Sequence, residues 1–263
     1  MKPTLEDLSA MARGAGEILR AGFNQKHQVA LKGEIDLVTE VDQLSEDFLL
    51  NEIKQRFPDH KIITEESGVV ENHPEHTWYL DPLDGTTNFA HGLPIFSVSI
   101  GYAYQGEVEL GVVYDPIREE LFSAELGKGA WLNEKPIRAG NQSELKNSLL
   151  ITGLPYDRFT NPDNNLENFT RFALQVRGLR RLGSAALDLC FVAAGRVDGY
   201  WEVRLEPWDL AAGKLIVEQA GGVVTRRDGS DDLLTPPCSV VAANPALHRE
   251  MVAVLQQDQS AKQ

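Results

Sequence analysis

Thr77-Trp78-Tyr79-Leu80-Asp81-Pro82-Leu83-Asp84-Gly85-Thr86-Thr87-Asn88-Phe89 is the stretch on which the reading of this chain turns. Its opening residues are mostly aromatic or apolar, as in a buried strand. Two carboxylates follow, Asp81 and Asp84, then a glycine and two hydroxyls at Gly85, Thr86 and Thr87. The string reads as a strand end, a tight turn and a helix start at Thr86 or Thr87. Carboxylates at a strand end suit hard cations, which bind through oxygen. The N–H groups of a helix start favour an anion such as phosphate. A metal site and a phosphate site would then be neighbours. Taken alone, the string is equally a capped turn, because Asp and Thr are common turn and N-cap residues.

The chain has 263 residues, 42% of them hydrophobic, enough for one large domain or two packed subdomains. A change of character near Gly140–Leu149 divides it into residues 1–145, an α+β part with the main acidic motif, and residues 146–263, an α/β part. The formal net charge of −14 argues against general nucleic-acid binding. It would also repel an anionic substrate, so phosphate chemistry here needs bound cations to invert the local sign. Cys190 and Cys238 stand far apart, outside any zinc-type spacing, and Cys190 reads as a small buried hydrophobe. No basic-then-apolar leader opens the sequence, and no apolar run approaches the ~20 residues of a membrane span. The expected compartment is therefore the cytoplasm, with no membrane partner.

Outward from the opening string, Leu5, Leu8, Ala12, Ala15 and Leu19 recur at helical spacing. Asp36-Leu37-Val38-Thr39 is strand-like. Asp42 stands just before a second helical pattern through Leu44, Phe48, Ile53 and Phe57, which Pro58-Asp59 stops. Lys61-Ile62-Ile63-Thr64 is a short strand leading into Glu65-Glu66. Ser97–Ile100, Val108–Tyr114 and Leu121–Ala124, with turn signals between them, predict an antiparallel meander. Residues 156–168 read as a polar surface loop. Helices at Ser184–Ala194 and Trp208–Gln219 precede strands at Val223–Thr225 and Ser239–Ala242. A last helix carries Leu247, Met251, Val254 and Leu255. These alternating blocks predict an α+β layered sandwich.

Glu65-Glu66, Asp81 with Asp84, and Asp209 all follow strand-like or aromatic residues, which places each acid at the end of an element. Glu65 and Glu66 alone would be solvated loop charges, and Asp209, behind Trp208, an N-cap. Isolated acids near a core are costly to leave unpaired. Converged on divalent cations, they become ligands and stay ionised. Carboxylate and carbonyl oxygens suit Mg²⁺ or Mn²⁺ rather than softer metals.

Glu65-Glu66-Ser67, Asp81–Phe89 and Trp208-Asp209-Leu210-Ala211-Ala212-Gly213 resemble, in order and separation, the motifs of the inositol monophosphatase family. Arg181-Leu182-Gly183-Ser184-Ala185-Ala186-Leu187-Asp188 resembles its bacterial branch. The resemblance covers nearly the whole chain. It implies a layered αβαβα sandwich, a homodimer, and hydrolysis of phosphate monoesters with Mg²⁺, up to three ions per subunit, or with Mn²⁺. It also implies sensitivity to lithium. By motif, Glu65, Asp81 and the carbonyl of Leu83 would hold a first ion. Asp81, Asp84 and Asp209 would hold a second, and Glu65 with water a third. Asp42 would work with Thr86 on the attacking water, so Thr86, Asp42 and Glu65 are the catalytic assignments. Gly85 and Thr86 would offer backbone N–H groups to phosphate. Ser184 and Ala185 would lie beside the polyol, and Glu202 would accept its hydroxyls. Lys32-Gly33 resembles a mobile loop that closes near the third ion. His91 reads as a surface or hydrogen-bonded residue. Thr64 departs from the pattern, because many relatives carry glycine before the acidic pair.

The reaction so implied is Mg²⁺-dependent hydrolysis of inositol 1-phosphate or a similar phosphorylated polyol by a metal-activated water. A phosphate dianion repels hydroxide, and cations offset that repulsion at both attacking and leaving oxygens. Fructose 1,6-bisphosphate, histidinol phosphate and nucleotide phosphates are the alternative substrates. Some bacterial relatives associate with RNA polymerase, so a regulatory protein is the alternative of a different class.

Overall fold

The computed structural model describes residues 1–23, 25, 29–31, 37–70 and 72–257. Apolar spacing places α1 (Leu5–Gly22) as expected, with Leu8, Met11, Ala12, Ala15 and Leu19 buried, and Thr4 starts it through a capping box with Asp7. Short strands β1 (Val29–Leu31) and β2 (Leu37–Thr39) pair antiparallel. Helix α2 (Glu40–Arg56) begins directly behind Thr39. Asp42 therefore sits inside the first turn of this helix rather than ahead of it. It completes a capping box, its Oδ2 accepting from the Thr39 N–H and hydroxyl. Leu44, assigned to the buried face by its spacing, is 55% exposed. At this end of α2 Asp42, Ser45 and Glu46 are buried alongside Val41, because they bond Thr86, Pro82 and the turn after residue 64.

Strand β3 (His60–Thr64) ends in the Glu65-Glu66 turn and returns as β4 (Gly68–Val70). Strand β5 (His73–Asp84) corrects the expected turn: it runs on through Asp84, and only its pairing is irregular, between Asp81 and Asp84. Pro82 has no N–H to offer a neighbouring strand, which suits such an irregularity. Gly85, at φ 97°, then turns the chain into α3 (Thr86–Ala90). A Cβ at this position would lie 2.9 Å from the Ile95 carbonyl oxygen, so glycine is required by conformation and by space.

Strands β6 (Ser97–Tyr104), β7 (Glu107–Asp115), β8 (Glu120–Glu125), β9 (Gly129–Leu132) and β10 (Lys135–Pro136) continue as the antiparallel meander. The sheet order is β10-β9-β8-β7-β6-β5-β3-β4. The polar residues of Ser97–Ile100 are buried as well as the apolar ones, because helices cover both faces of the sheet here.

The smaller sheet follows. Its elements are β11 (Leu149–Thr152), α4 (Leu166–Ala173), β12 (Gly178–Arg180), α5 (Ala185–Ala193), β13 (Gly199–Leu205), α6 (Pro207–Gln219), β14 (Val223–Thr225), β15 (Cys238–Ala243) and α7 (Pro245–Gln256). Its strand order is β12-β11-β13-β15-β14. The expected loop over 156–168 is cut short, since α4 starts at Leu166. Polar composition misleads there because Asn165 is an internal connector. It donates to Gly153 O at 2.8 Å and accepts from Trp201 Nε1 at 2.9 Å.

The layers are αβαβα. Helices α1 and α2 cover one face of the large sheet, α5 and α6 fill the space between the sheets, and α4 and α7 cover the far face of the small one. This explains why α5 is buried around nearly its whole circumference: it has protein on every side. Cys190 and Cys238 are buried free thiols. Among the described residues no helix is long and apolar enough to cross a membrane.

Candidate active site

The turn after β3, the irregular end of β5, the starts of α3, α5 and α6, and the end of β13 open onto one cavity of about 430 Å³. Glu65, Asp81, Leu83, Asp84, Gly85, Thr86, Ser184, Ala185, Glu202 and Asp209 all line it. Asp42 stands directly behind: its Oδ1 is 3.0 Å from the Thr86 hydroxyl, which also lies 3.1 Å from the carbonyl oxygen of Leu83. Lys32 and Gly33 lie outside the described residues. His91 is exposed, with Nδ1 2.8 Å from the Thr87 carbonyl oxygen.

Asp81, Asp84 and Asp209 each accept hydrogen bonds that hold them in place. Asp81, 2% exposed, accepts the Leu83 N–H at 3.0 Å. Burial first, and then the negative charges of Glu65, Asp84 and Asp209, push its pKa well above the usual carboxylate range. Asp84 reaches the start of α5 from across the fold. It accepts from Ser184 Oγ at 2.5 Å, Ala185 N at 3.1 Å and Ala186 N at 2.9 Å, so it meets N–H groups that a helix start leaves without helical partners. Burial still outweighs those donors and raises its pKa. Ser184 and Ala185 thus line the cavity and hold Asp84 at the same time. Asp209 shares a capping box with Glu206, whose N–H donates to it at 2.8 Å. Glu206, not Asp209, is the N-cap of α6. Burial pushes Asp209 up as well, against that hydrogen bond, with Asp84, Glu65 and Glu202 adding repulsion.

These acids form a hard-oxygen donor set whose mutual repulsion a divalent cation offsets. They face a shared cavity rather than a single point. Among the described residues no three His, Cys, Asp or Glu side chains stand together as a ready-made cage. The chemistry of the donor set fits such a cation.

Glu202 lines the cavity from β13. Its Oε2 accepts from the Tyr200 hydroxyl at 2.7 Å, and its carboxylate packs directly on Gly153, where any Cβ would overlap it. Burial raises its pKa to about 7; Tyr200 and Arg181 oppose the rise, and Asp84 adds to it. Arg181 lines the cavity, whereas Arg180 is exposed and donates to the Leu179 carbonyl.

The inositol monophosphatase family model matches residues 1–260. The chain belongs to the inositol monophosphatase family. It is 44% identical over 259 residues to the Nus factor SuhB of Pasteurella multocida, covering 97% of each chain. It is 41% identical over 254 residues to the inositol-1-monophosphatase of Mesorhizobium japonicum, covering 95% of each. Among solved structures, extragenic suppressor protein suhB of Bartonella henselae aligns with a TM-score of 0.90 at 38% identity, over 95% of this chain and 97% of that one. The inositol monophosphatase of Anabaena aligns with a TM-score of 0.88 at 42% identity, over 96% and 95%.

This inositol monophosphatase fold also uses residues to which the sequence alone assigns no role. Gly153 makes room for Glu202, and nothing in its local sequence marks it. Asp188, on α5, is 1% exposed, and its Oδ1 has no hydrogen-bond partner. Burial and the charges of Glu202 and Asp84 hold its pKa well up, partly against Arg181. An acid inside an otherwise apolar helix is the signal that marks it. Thr64, the departure from the family pattern, is buried and donates to Glu46 at 2.6 Å. Glu46 itself has a visible signal, an acid one helical turn after Asp42.

Proposed function

We propose that this cavity hydrolyses inositol 1-phosphate, or a similar polyol monophosphate, to the free alcohol and phosphate, with Mg²⁺ as cofactor. The chain is a phosphoric monoester hydrolase of the inositol monophosphatase family. One observation carries the reading: Glu65, Asp81, Asp84 and Asp209 line the same cavity as a threonine hydroxyl backed by a buried carboxylate.

The residues to hold the ions are Glu65, Asp81, the Leu83 carbonyl, Asp84 and Asp209. When bound, divalent cations supply the positive charge that draws in a phosphate dianion and makes water a better nucleophile near neutral pH. The rest is done by the chain itself. Thr86 Oγ1 gives its proton to the hydrogen bond with Asp42 Oδ1, which turns its lone pairs towards a water in the cavity. The water is thereby oriented, and its proton has a path through Thr86 Oγ1 to Asp42. Asp42 is fully buried and acts through Thr86. Backbone N–H groups of Gly85 and Thr86 orient the phosphate. Glu202, held by Tyr200, accepts polyol hydroxyls, and Ser184 and Ala185 flank the polyol. Family membership supports the finer parts of this reading. These are up to three Mg²⁺ per subunit, Mn²⁺ in its place, inhibition by Li⁺, and a homodimer in the cytoplasm.

The test is phosphate release from inositol 1-phosphate, fructose 1,6-bisphosphate, histidinol phosphate and 3′-phosphoadenosine phosphates, with Mg²⁺ and with EDTA. Inositol 1-phosphate should give the highest kcat/KM, and EDTA should abolish release. A kcat/KM at least about tenfold higher for histidinol phosphate would reject the polyol assignment. Relatives named Nus factor SuhB favour a second, regulatory role in association with RNA polymerase. Retention of polymerase by the inactive Asp81→Asn variant would separate that role from catalysis, and failure of both wild type and variant to retain it would reject the role.

A further inference from the structure

We infer that Glu46 is a positioning residue: it anchors the turn that carries Glu65, as one arm of a clamp that α2 places on three separate pieces of the site. Asp42, Ser45 and Glu46 are related as i, i+3 and i+4, so they share one face of α2. All are buried, which is unusual for a polar trio on a helix. Each reaches a different segment. Asp42 takes the Thr86 hydroxyl at the start of α3. Ser45 Oγ donates to the Pro82 carbonyl at 2.8 Å, between Asp81 and Leu83 in the irregular end of β5. Glu46 reaches the turn after β3.

The contacts of Glu46 are the densest. Its Oε2 accepts from Thr64 Oγ1 at 2.6 Å and from Glu66 N at 3.0 Å. Its Oε1 accepts from Ser67 N at 2.9 Å and from the Ser67 hydroxyl. Four donors on two oxygens bracket Glu65 on both sides, one before it in sequence and three after. A buried carboxylate needs such donors, and an exposed turn would otherwise move freely. There is also a force to resist, since Glu65 and Asp81 repel each other across the cavity. Glu46 does not itself line the cavity. Its effect on the reaction is therefore to hold Glu65 where a cation is to be bound. That last step rests on the proposed function; the anchoring of the turn rests on the geometry alone.

The experiment uses the full chain and Glu46→Gln. An amide has one acceptor oxygen, and its NH₂ group would face donors that expect an acceptor. Two readouts are taken well below the unfolding transition. In metal-free protein, amide exchange followed by NMR should accelerate at Glu66 and Ser67 by about tenfold or more, with α1 and the β6–β8 strands unchanged. By calorimetric titration, the affinity for Mg²⁺ should fall about 10- to 100-fold, as for other residues that orient a metal ligand. Unchanged exchange at the two amides overturns the proposal. So does exchange that rises uniformly across the chain while Mg²⁺ affinity stays at the wild-type value, because that is a general stability role. If Glu46→Gln does not fold, Thr64→Val and Ser67→Ala each remove one hydroxyl donor and carry the test. Both should loosen the same amides and weaken Mg²⁺ binding in the same direction, and wild-type values in both variants overturn the proposal. Should the wild type itself bind no Mg²⁺ and release no phosphate, the proposed function fails, while the exchange readout still decides the anchoring.

Discussion

Replacing Glu202 with glutamine removes a charge that the fold disfavours while preserving shape. The Tyr200 hydroxyl can still donate to the amide oxygen, and Gly153 still leaves room. Glu202 goes from an ordinary pKa of 4.5 to about 7 in the fold, burial being the largest cause. At about 1.4 kcal/mol per tenfold, that gap amounts to about 3 kcal/mol, an upper figure because the carboxylate faces the cavity and water softens the penalty. The sign follows from which state holds the proton more tightly. Between 4.5 and about 7 the unfolded chain loses this proton while the folded chain keeps it. Stability therefore falls as pH rises through that window, and the loss is complete above it. The glutamine variant has no such proton, so it should gain on wild type by up to about 3 kcal/mol between roughly pH 5 and pH 8. Urea unfolding in EDTA across that range measures the difference. Asp188 and Asp209 lose the repulsion of Glu202 in the variant, which adds to its gain in the same direction. Parallel stability–pH curves for the two proteins would refute the burial argument. The same variant should raise KM for inositol 1-phosphate, since a carboxylate acceptor for polyol hydroxyls is gone.

Asp81→Asn should lower kcat by more than about a hundredfold and weaken Mg²⁺ binding, because the charges of Glu65, Asp84 and Asp209 all act on Asp81; steady-state kinetics over a Mg²⁺ series checks both, and near-normal turnover with unchanged Mg²⁺ dependence contradicts the assignment. Gly153→Ala should push the flexible carboxylate of Glu202 away and break its bond to Tyr200, costing about 1 kcal/mol of stability while raising KM for the polyol phosphate at nearly unchanged kcat. Urea unfolding and inositol 1-phosphate kinetics read the two effects separately. His60 is held to a pKa of about 4, chiefly by burial, against an ordinary 6.5, so it stays neutral in the fold while the unfolded chain takes up a proton. Stability should therefore be lost as pH falls from 6.5 towards 4, and His60→Gln, which keeps an acceptor for Trp78 Nε1, should lessen that loss in an acid titration followed by circular dichroism.

Much of the site is legible because its acids sit where local patterns end. Asp81 follows an apolar run, Glu65 follows β3, and Asp209 stands in the first turn of α6, so short-range periodicity and capping chemistry locate them. The helix start at Thr86 is legible for the same reason, since glycine precedes it. The remainder is hidden by the same locality. Ser45 and Glu46 look like a solvated polar face until Pro82 and the 64–67 turn pack on them. The polar stretch before α4 looks like a surface loop until Asn165 meets Gly153 and Trp201. Ser184 looks like a contact for substrate alone until Asp84 arrives from another strand.

What the sequence determined by itself is the kind of element at each place, the acids at element ends, and the family motif that joins them. Those depend on side-chain spacing, caps and turn residues within a few positions of one another. Only the tertiary structure decided which carboxylates share a cavity, which are held by donors from distant segments, and which, like Glu202, resist losing a proton. Burial and charge repulsion act through space, and the distances that set them do not exist until the layers have packed.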